Sequence, residues 1–172
     1  MYRTVYLSLG SNVGDRAAHI AKAVSALAAA GIRVLRQSLL YRTEPVDFRA
    51  QTWFLNAVVE AETSLMPRKL LRTIQEVERI LGRRRMVSRG PRVIDIDILL
   101  YGANTIRTAE LEIPHPRLQQ RRFVLVPLAE LAPNLRHPTV RLSIAELLAQ
   151  TPDRSRVVKW QPPGAPQRPE AK

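Results

Sequence analysis

The chain has 172 residues, 45% hydrophobic and 24% charged, which suits one soluble domain with a sizeable core and excludes disorder over most of its length. A formal charge of +12 and a pI near 11.2 point to an anionic partner: nucleic acid, an anionic membrane or a phosphorylated small molecule. With no cysteine, disulfides, thiolate zinc sites and cysteine nucleophiles are excluded, and three scattered histidines (His19, His115, His137) weigh against a His-cluster metal site.

The N-terminal MYRTVYLSLGSN lacks the apolar stretch of a signal peptide, and no run approaches the ~18 apolar residues of a membrane span, so the expected location is cytoplasmic. TVYLSLG reads as a first strand ending at Gly10. GDRAAHIAKAVSALAAAG follows as an Ala-rich helix closed by Gly31. IRVLRQSLLYRTEP is extended up to Pro45, and FLNAVVEAETS alternates as a further strand. SLMPRKLLRTIQEVERILG predicts a second helix, with Ser64 as its cap and Leu70, Leu71, Ile74, Val77 and Ile80/Leu81 at helical spacing. GPRVIDIDILLYG supplies the next strand.

That order, β-α-β-β-α-β, is the α+β split-βαβ or ferredoxin-like arrangement: an antiparallel sheet with two helices on one face and the other face open to a ligand. Residues 103–160 add turns at Pro114, Pro116, Pro133 and Pro138, an apolar segment FVLVPLAEL and a short helix SIAELLAQ. No linker precedes them, so residues 1–160 read as a single domain with a C-terminal elaboration. The polar, Pro-rich 161–172 reads as a disordered tail.

Of the 27 basic residues, 23 are Arg, a residue suited to bidentate phosphate contacts. The densest stretch runs from Arg79 through Arg83, Arg84, Arg85 and Arg89 to Arg92, and a second group holds His115, Arg117, Arg121 and Arg122. Between them lie Asp95 and Asp97, at positions i and i+2 of an otherwise apolar strand, so both side chains share one face. Two carboxylates ~6 Å apart repel by about 0.7 kcal/mol in water and about 3 kcal/mol at an effective dielectric of 20. A wet strand face tolerates that, and a solvated pair is the plain alternative. The flanking arginines favour a hard divalent cation instead: Mg²⁺ takes one or two carboxylates and fills its other positions with water and phosphate oxygens. Two such ions could clamp a phosphoryl group in transfer. Neither G-x-x-x-x-G-K-[ST] nor G-x-G-x-x-G occurs.

YLSLGSNVGDR, YRTEPV with FLNAVVEAET, GRRR followed by GPRVIDIDILLYG, and IPHPRLQQRRFVLVPLAELAP together resemble the 6-hydroxymethyl-7,8-dihydropterin pyrophosphokinases of folate biosynthesis, over about residues 3–160. The resemblance implies transfer of pyrophosphate from ATP to a pterin alcohol, with AMP released. It implies that Asp95 and Asp97 hold two Mg²⁺ ions and that Arg83, Arg85 and Arg92 bind the triphosphate, Arg83 and Arg92 acting in catalysis. His115 and Arg121 match further phosphate contacts, and Gln75 and Glu78 match nucleotide contacts. For the pterin, Asn56 matches the residue that bonds its edge, Thr43 and Val46 lend backbone groups, and Phe54 and Phe123 match the aromatic pair around the ring. Stacking faces with a few oriented amides are what a planar heterocycle needs. Phe54 and Arg89 stand where relatives commonly carry Tyr and Trp. The Gly-bounded loop 82–92 is expected to close over bound substrates. Expected partners are small molecules, with no nucleic acid, no membrane and a monomeric chain.

Two other readings compete on the residues alone. An RNA-binding module suits the fold and the charge, but would carry aromatics on the central strands where this chain carries aspartates. A metal-dependent nuclease would want a further carboxylate or His in register.

Overall fold

The computed structural model describes residues 1–46, 50–82 and 91–165. The first strand β1 (Arg3–Ser11) leads into α1 (Arg16–Ala29), whose N-cap Asp15 accepts a hydrogen bond from the Ala18 N–H at 3.1 Å. After Gly31, held at φ 88, come β2 (Arg33–Gln37), β3 (Tyr41–Thr43) and the long β4 (Phe54–Thr63). Helix α2 (Pro67–Ile80) precedes β5 (Asp95–Tyr101). The elaboration comprises a two-stranded ribbon of β6 (Ile106–Arg107) and β7 (Glu112–Ile113), a 3₁₀ turn (Leu118–Gln120), α3 (Arg122–Leu131), α4 (Ile144–Gln150) and β8 (Val157–Lys159).

The main sheet has the order β5-β1-β4-β3-β8, with β2 also on β4, and its pairings are antiparallel. This is the ferredoxin-like arrangement. Helices α1 and α2 cover one face: Ile20, Ala23 and Leu27 meet Leu70, Ile74 and Val77 over Val5, Leu7 and Leu9 of β1 and Ile96 and Ile98 of β5. Burial of these side chains contributes roughly 1.5–3 kcal/mol each for the larger ones, which is what seats the helices.

The opposite face is only half open, where the sequence predicts it open. A second apolar cluster buries Tyr6, Val58, Leu99 and Leu100 beneath Val124, Leu125 and Leu128 of α3 and Ile144 and Leu147 of α4. FVLVPLAEL thus folds as a helix with Pro127 inside it. Two further details differ. The cap of α2 is Met66 with Pro67 at the first helical position, not Ser64, since Pro67 lacks an N–H and has a helical φ already. The extended 32–45 stretch breaks into two strands because Ser38 exchanges two bonds with Val58: its N–H donates to the Val58 carbonyl, and its Oγ accepts the Val58 N–H at 2.9 Å. Of the tail, 166–172 lies outside the described residues.

Candidate active site

Register places the site. Gly10 of β1 pairs with Asn56 of β4 and with Asp95 of β5, Ser8 pairs with Asp97, and Thr43 of β3 pairs with Phe54. Cross-strand partners share a sheet face, so the half of the face that α3 leaves open carries Phe54, Asn56, Thr43, Asp95 and Asp97 around small central residues. An open cleft results, lined by a few oriented polar groups and two aromatic rings, as small-molecule sites are. Arg92, Arg121, Phe123 and Val46 complete the expected members of its lining. Nine of the predicted site residues, drawn from segments more than 75 positions apart in sequence, are therefore brought together.

The carboxylates and cations are ordered within it. Arg92 donates through Nη1 to Asp95 Oδ2 at 2.8 Å, an ion pair that keeps both groups partly exposed to the cleft. Arg121 stacks its guanidinium 5.4 Å from the centre of the Phe123 ring, at the start of α3. Asn56 donates through Nδ2 to Thr43 Oγ1 at 2.5 Å, so the side chain of Thr43, and not only its backbone, takes part in the site.

His115 lies at the border with a neighbouring groove, which it lines with Pro114, Pro116 and Gln119. Its Nδ1 accepts the Arg117 N–H at 3.1 Å, which places the ring proton of the neutral form on Nε2. Burial, followed by the positive charges of Arg121 and Arg117, pushes its pKa down to about 4, against the pull of Asp95. The imidazole is thus neutral at physiological pH and offers an N–H donor.

Of the remaining expected residues that the structure describes, His115, Gln75 and Glu78 do not line the cleft. Gln75 is exposed on α2, and Glu78, one turn on, is 3% exposed with Oε2 accepting the Ile96 N–H at 3.1 Å. Arg83, Arg85 and Arg89, and with them most of the loop expected to close, lie outside the described residues. Residues not singled out from the sequence also line the cleft, among them Ser8, Gly10, Glu44 and Gln51. Of these only Ser8 and Gly10, small residues alternating on the strand YLSLGSN, carry a signal that alternation could have exposed.

Among the described residues no group of three or more His, Cys, Asp or Glu side chains could hold a metal ion. The pair Asp95 and Asp97 offers hard oxygen donors beside a basic cleft. That donor set suits Mg²⁺, which needs only one or two carboxylates when phosphates supply the rest. It does not suit a site enclosed by protein ligands alone.

Comparison with known proteins identifies the family and the fold. The family described as 7,8-dihydro-6-hydroxymethylpterin-pyrophosphokinase matches residues 6–133. A 2-amino-4-hydroxy-6-hydroxymethyldihydropteridine pyrophosphokinase of Methylorubrum extorquens is 50% identical over 145 residues, 83% of this chain and 92% of that protein. Its counterpart from Aquifex aeolicus is 46% identical over 143 residues, 83% of this chain and 89% of that one. The folic acid synthesis protein of Pneumocystis carinii is 44% identical over 149 residues, 87% of this chain, but this chain spans only 20% of its length. In fold the chain matches a crystal structure of HPPK-DHPS in complex with substrates, with a TM-score of 0.70 at 15% identity, over 87% of this chain and 43% of that one. The chain belongs to the 7,8-dihydro-6-hydroxymethylpterin pyrophosphokinase family, the pyrophosphokinases of folate biosynthesis.

Proposed function

We propose that the open half-face of the sheet is where a pyrophosphoryl group passes from ATP to 6-hydroxymethyl-7,8-dihydropterin. The observation that carries this reading is the register of three strands: Asn56 and Asp95 flank Gly10 on one face, so a heterocycle slot and an acidic pair adjoin. The hydroxymethyl oxygen attacks the β-phosphorus in line. A new O–P bond forms, the bond from that phosphorus to the α,β-bridging oxygen breaks, and AMP leaves with the bridging oxygen while the hydroxyl proton goes to solvent.

Phe54 and Phe123 hold the ring, Asn56 reads its edge beside Thr43, and Val46 closes the rim. Arg92, Arg121 and the Nε2–H of His115 face the phosphates, and Arg83 and Arg85 are assigned to the same phosphates by family resemblance alone. Gln75 is the remaining candidate for the nucleotide. Asp95 and Asp97 would hold two Mg²⁺ ions, which when bound neutralise phosphate charge and favour loss of the hydroxyl proton. Positioning and charge stabilisation supply most of the rate, and no protein base is required. This reading makes residues 1–160 one catalytic domain, working as a cytoplasmic monomer on small molecules, with 161–172 outside catalysis. Among the described residues no helix is long and apolar enough to cross a membrane.

The test is AMP release from ATP, Mg²⁺ and the pterin alcohol. Asp95→Ala and Asp97→Ala should each lose at least ~10³-fold, the scale of a removed charge clamp. Activity within tenfold of the parent would remove support for the metal assignment.

A further inference from the structure

On the face that carries the site, β1 presents Tyr6, Ser8 and Gly10 in turn, and side-chain size falls along the strand. Tyr6 lies beneath α3 and is 8% exposed, whereas Ser8 and Gly10 form the floor of the cleft. The cleft therefore exists partly because side chains on the central strand shrink beyond the cover of α3, whose first turn borders it.

Gly10 does more than leave room. A Cβ built there would stand 2.5 Å from Asn56 Oδ1, 3.5 Å from Asn56 Cγ and 3.6 Å from Phe54 Cδ1. The first distance is one that real side chains do not occupy, so a residue with a Cβ must displace the Asn56 amide. Backbone conformation is not the reason for glycine here, because Gly10 is absent from the glycines with positive φ and sits in a regular antiparallel ladder. Nor can Asn56 step aside freely. It is 4% exposed, and the other end of its amide is tied to Thr43 Oγ1 at 2.5 Å. Whichever way round the amide stands, one end is held by Thr43 and the other lies over Gly10.

We infer that Gly10 is the specificity-determining position of the heterocycle slot: its missing side chain lets the Asn56 amide lie across β1 at the depth and angle that the edge of a flat bicyclic substrate needs. The inference rests on the reading that Asn56 meets the pterin. It also predicts selectivity. The three heavy atoms nearest the added carbon belong to Asn56 and Phe54 and none to Asp95, although Asp95 is the other cross-strand neighbour of Gly10. A methyl group there should disturb the heterocycle side of the cleft and spare the phosphate side.

The experiment compares wild type, Gly10→Ala, Asn56→Ala and the double variant. Pterin affinity is measured by calorimetry with a saturating non-hydrolysable ATP analogue and Mg²⁺, and the affinity of the analogue is measured separately. Gly10→Ala should weaken pterin binding at least ~10-fold, as expected when a polar edge loses its aligned partner, and leave the analogue within about twofold. In the Asn56→Ala background, adding Gly10→Ala should cost no more than about twofold, because the clashing group is gone. Pterin binding by Gly10→Ala within twofold of wild type, or an equal loss in both backgrounds, overturns the inference. If Gly10→Ala alone fails to fold, recovery of a cooperative melt in the double variant supports the contact and failure to recover overturns it. Unchanged pterin binding by Asn56→Ala would instead overturn the assignment of Asn56 to the substrate, a distinct outcome.

Discussion

Asn12 and Arg92, eighty residues apart in sequence, close a two-bond ring: the Asn12 N–H donates to the Arg92 carbonyl at 3.1 Å, and the Arg92 N–H donates to Asn12 Oδ1 at 2.7 Å. Asn12 also donates through Nδ2 to Gln51 Oε1 at 2.8 Å. One buried amide just past β1 therefore fixes both the approach to β5 and the approach to β4. From this anchored backbone Arg92 reaches Asp95.

Asn12→Ala leaves the Arg92 N–H without its acceptor and should cost about 1–3 kcal/mol in urea unfolding. Because Arg92 then loses its placement, kcat/KM should fall by up to ~10²-fold, the penalty of an ångström-scale shift at a reacting centre. Asn12→Asp keeps the acceptor and loses the donor, so it should recover part of both. Steady-state kinetics on a variant as stable as wild type, with unchanged kcat/KM, would count against the clamp.

Glu78 sits behind the acidic pair, its carboxylate on the one N–H that lies between Asp95 and Asp97. Glu78→Ala should destabilise by about 1–3 kcal/mol by stranding that donor, and should raise the Mg²⁺ concentration needed for half-maximal rate. Glu78→Gln retains an acceptor and should lie near wild type in stability. A Mg²⁺ titration in which all three enzymes coincide would show that α2 does not set the carboxylates.

His115 links pH to stability. Its native pKa of about 4 is below the ordinary 6.5. Between these values the unfolded chain takes up a proton that the native state refuses, so stability falls as pH falls through that window and is fully present above it. The stability of wild type relative to His115→Gln should therefore decline from pH 7 to pH 5. Urea midpoints that move in parallel for the two proteins would contradict the burial of the ring.

Glu130 on α3 accepts the Leu39 N–H at 2.9 Å and the Tyr41 hydroxyl at 2.5 Å, tying α3 to the break between β2 and β3. Burial first, then this carboxylate, hold the Tyr41 phenol above its usual range. Absorbance titration should show that Tyr41→Phe removes no transition near pH ~10, the ordinary tyrosine range, while Glu130→Gln brings the Tyr41 transition down towards it. Loss of a transition near that pH in Tyr41→Phe would mean that the phenol is free of Glu130.

Spacing made α1 and α2 legible, since each buries one face, and the apolar runs of β1, β4 and β5 read as strands although much of their length is buried on both faces. Asp95 and Asp97 were legible from spacing as well: a period of two admits no other placement than a shared face. Helix α3 read only as an apolar run, because it is buried on several sides and Pro127 interrupts its pattern. Strand β8 is three residues long and only half-buried at best, and the partner that makes it a strand is β3, over a hundred residues earlier. Among site residues, types and alternation marked the acidic pair, while Phe54 and Phe123 entered through family resemblance, since a core phenylalanine and a stacking one have the same local sequence.

Alternation along single strands thus settled, from the primary structure, that the two aspartates face one way and that the chain alternates strands with amphipathic helices. Folding alone decided that Glu78 turns inward to a backbone amide, that Asn12 grips Arg92, and that Gly10 lies beneath the Asn56 amide. Those outcomes depend on cross-strand register and on contacts between segments 18 to 80 residues apart, and no local pattern of residues encodes a partner that distant.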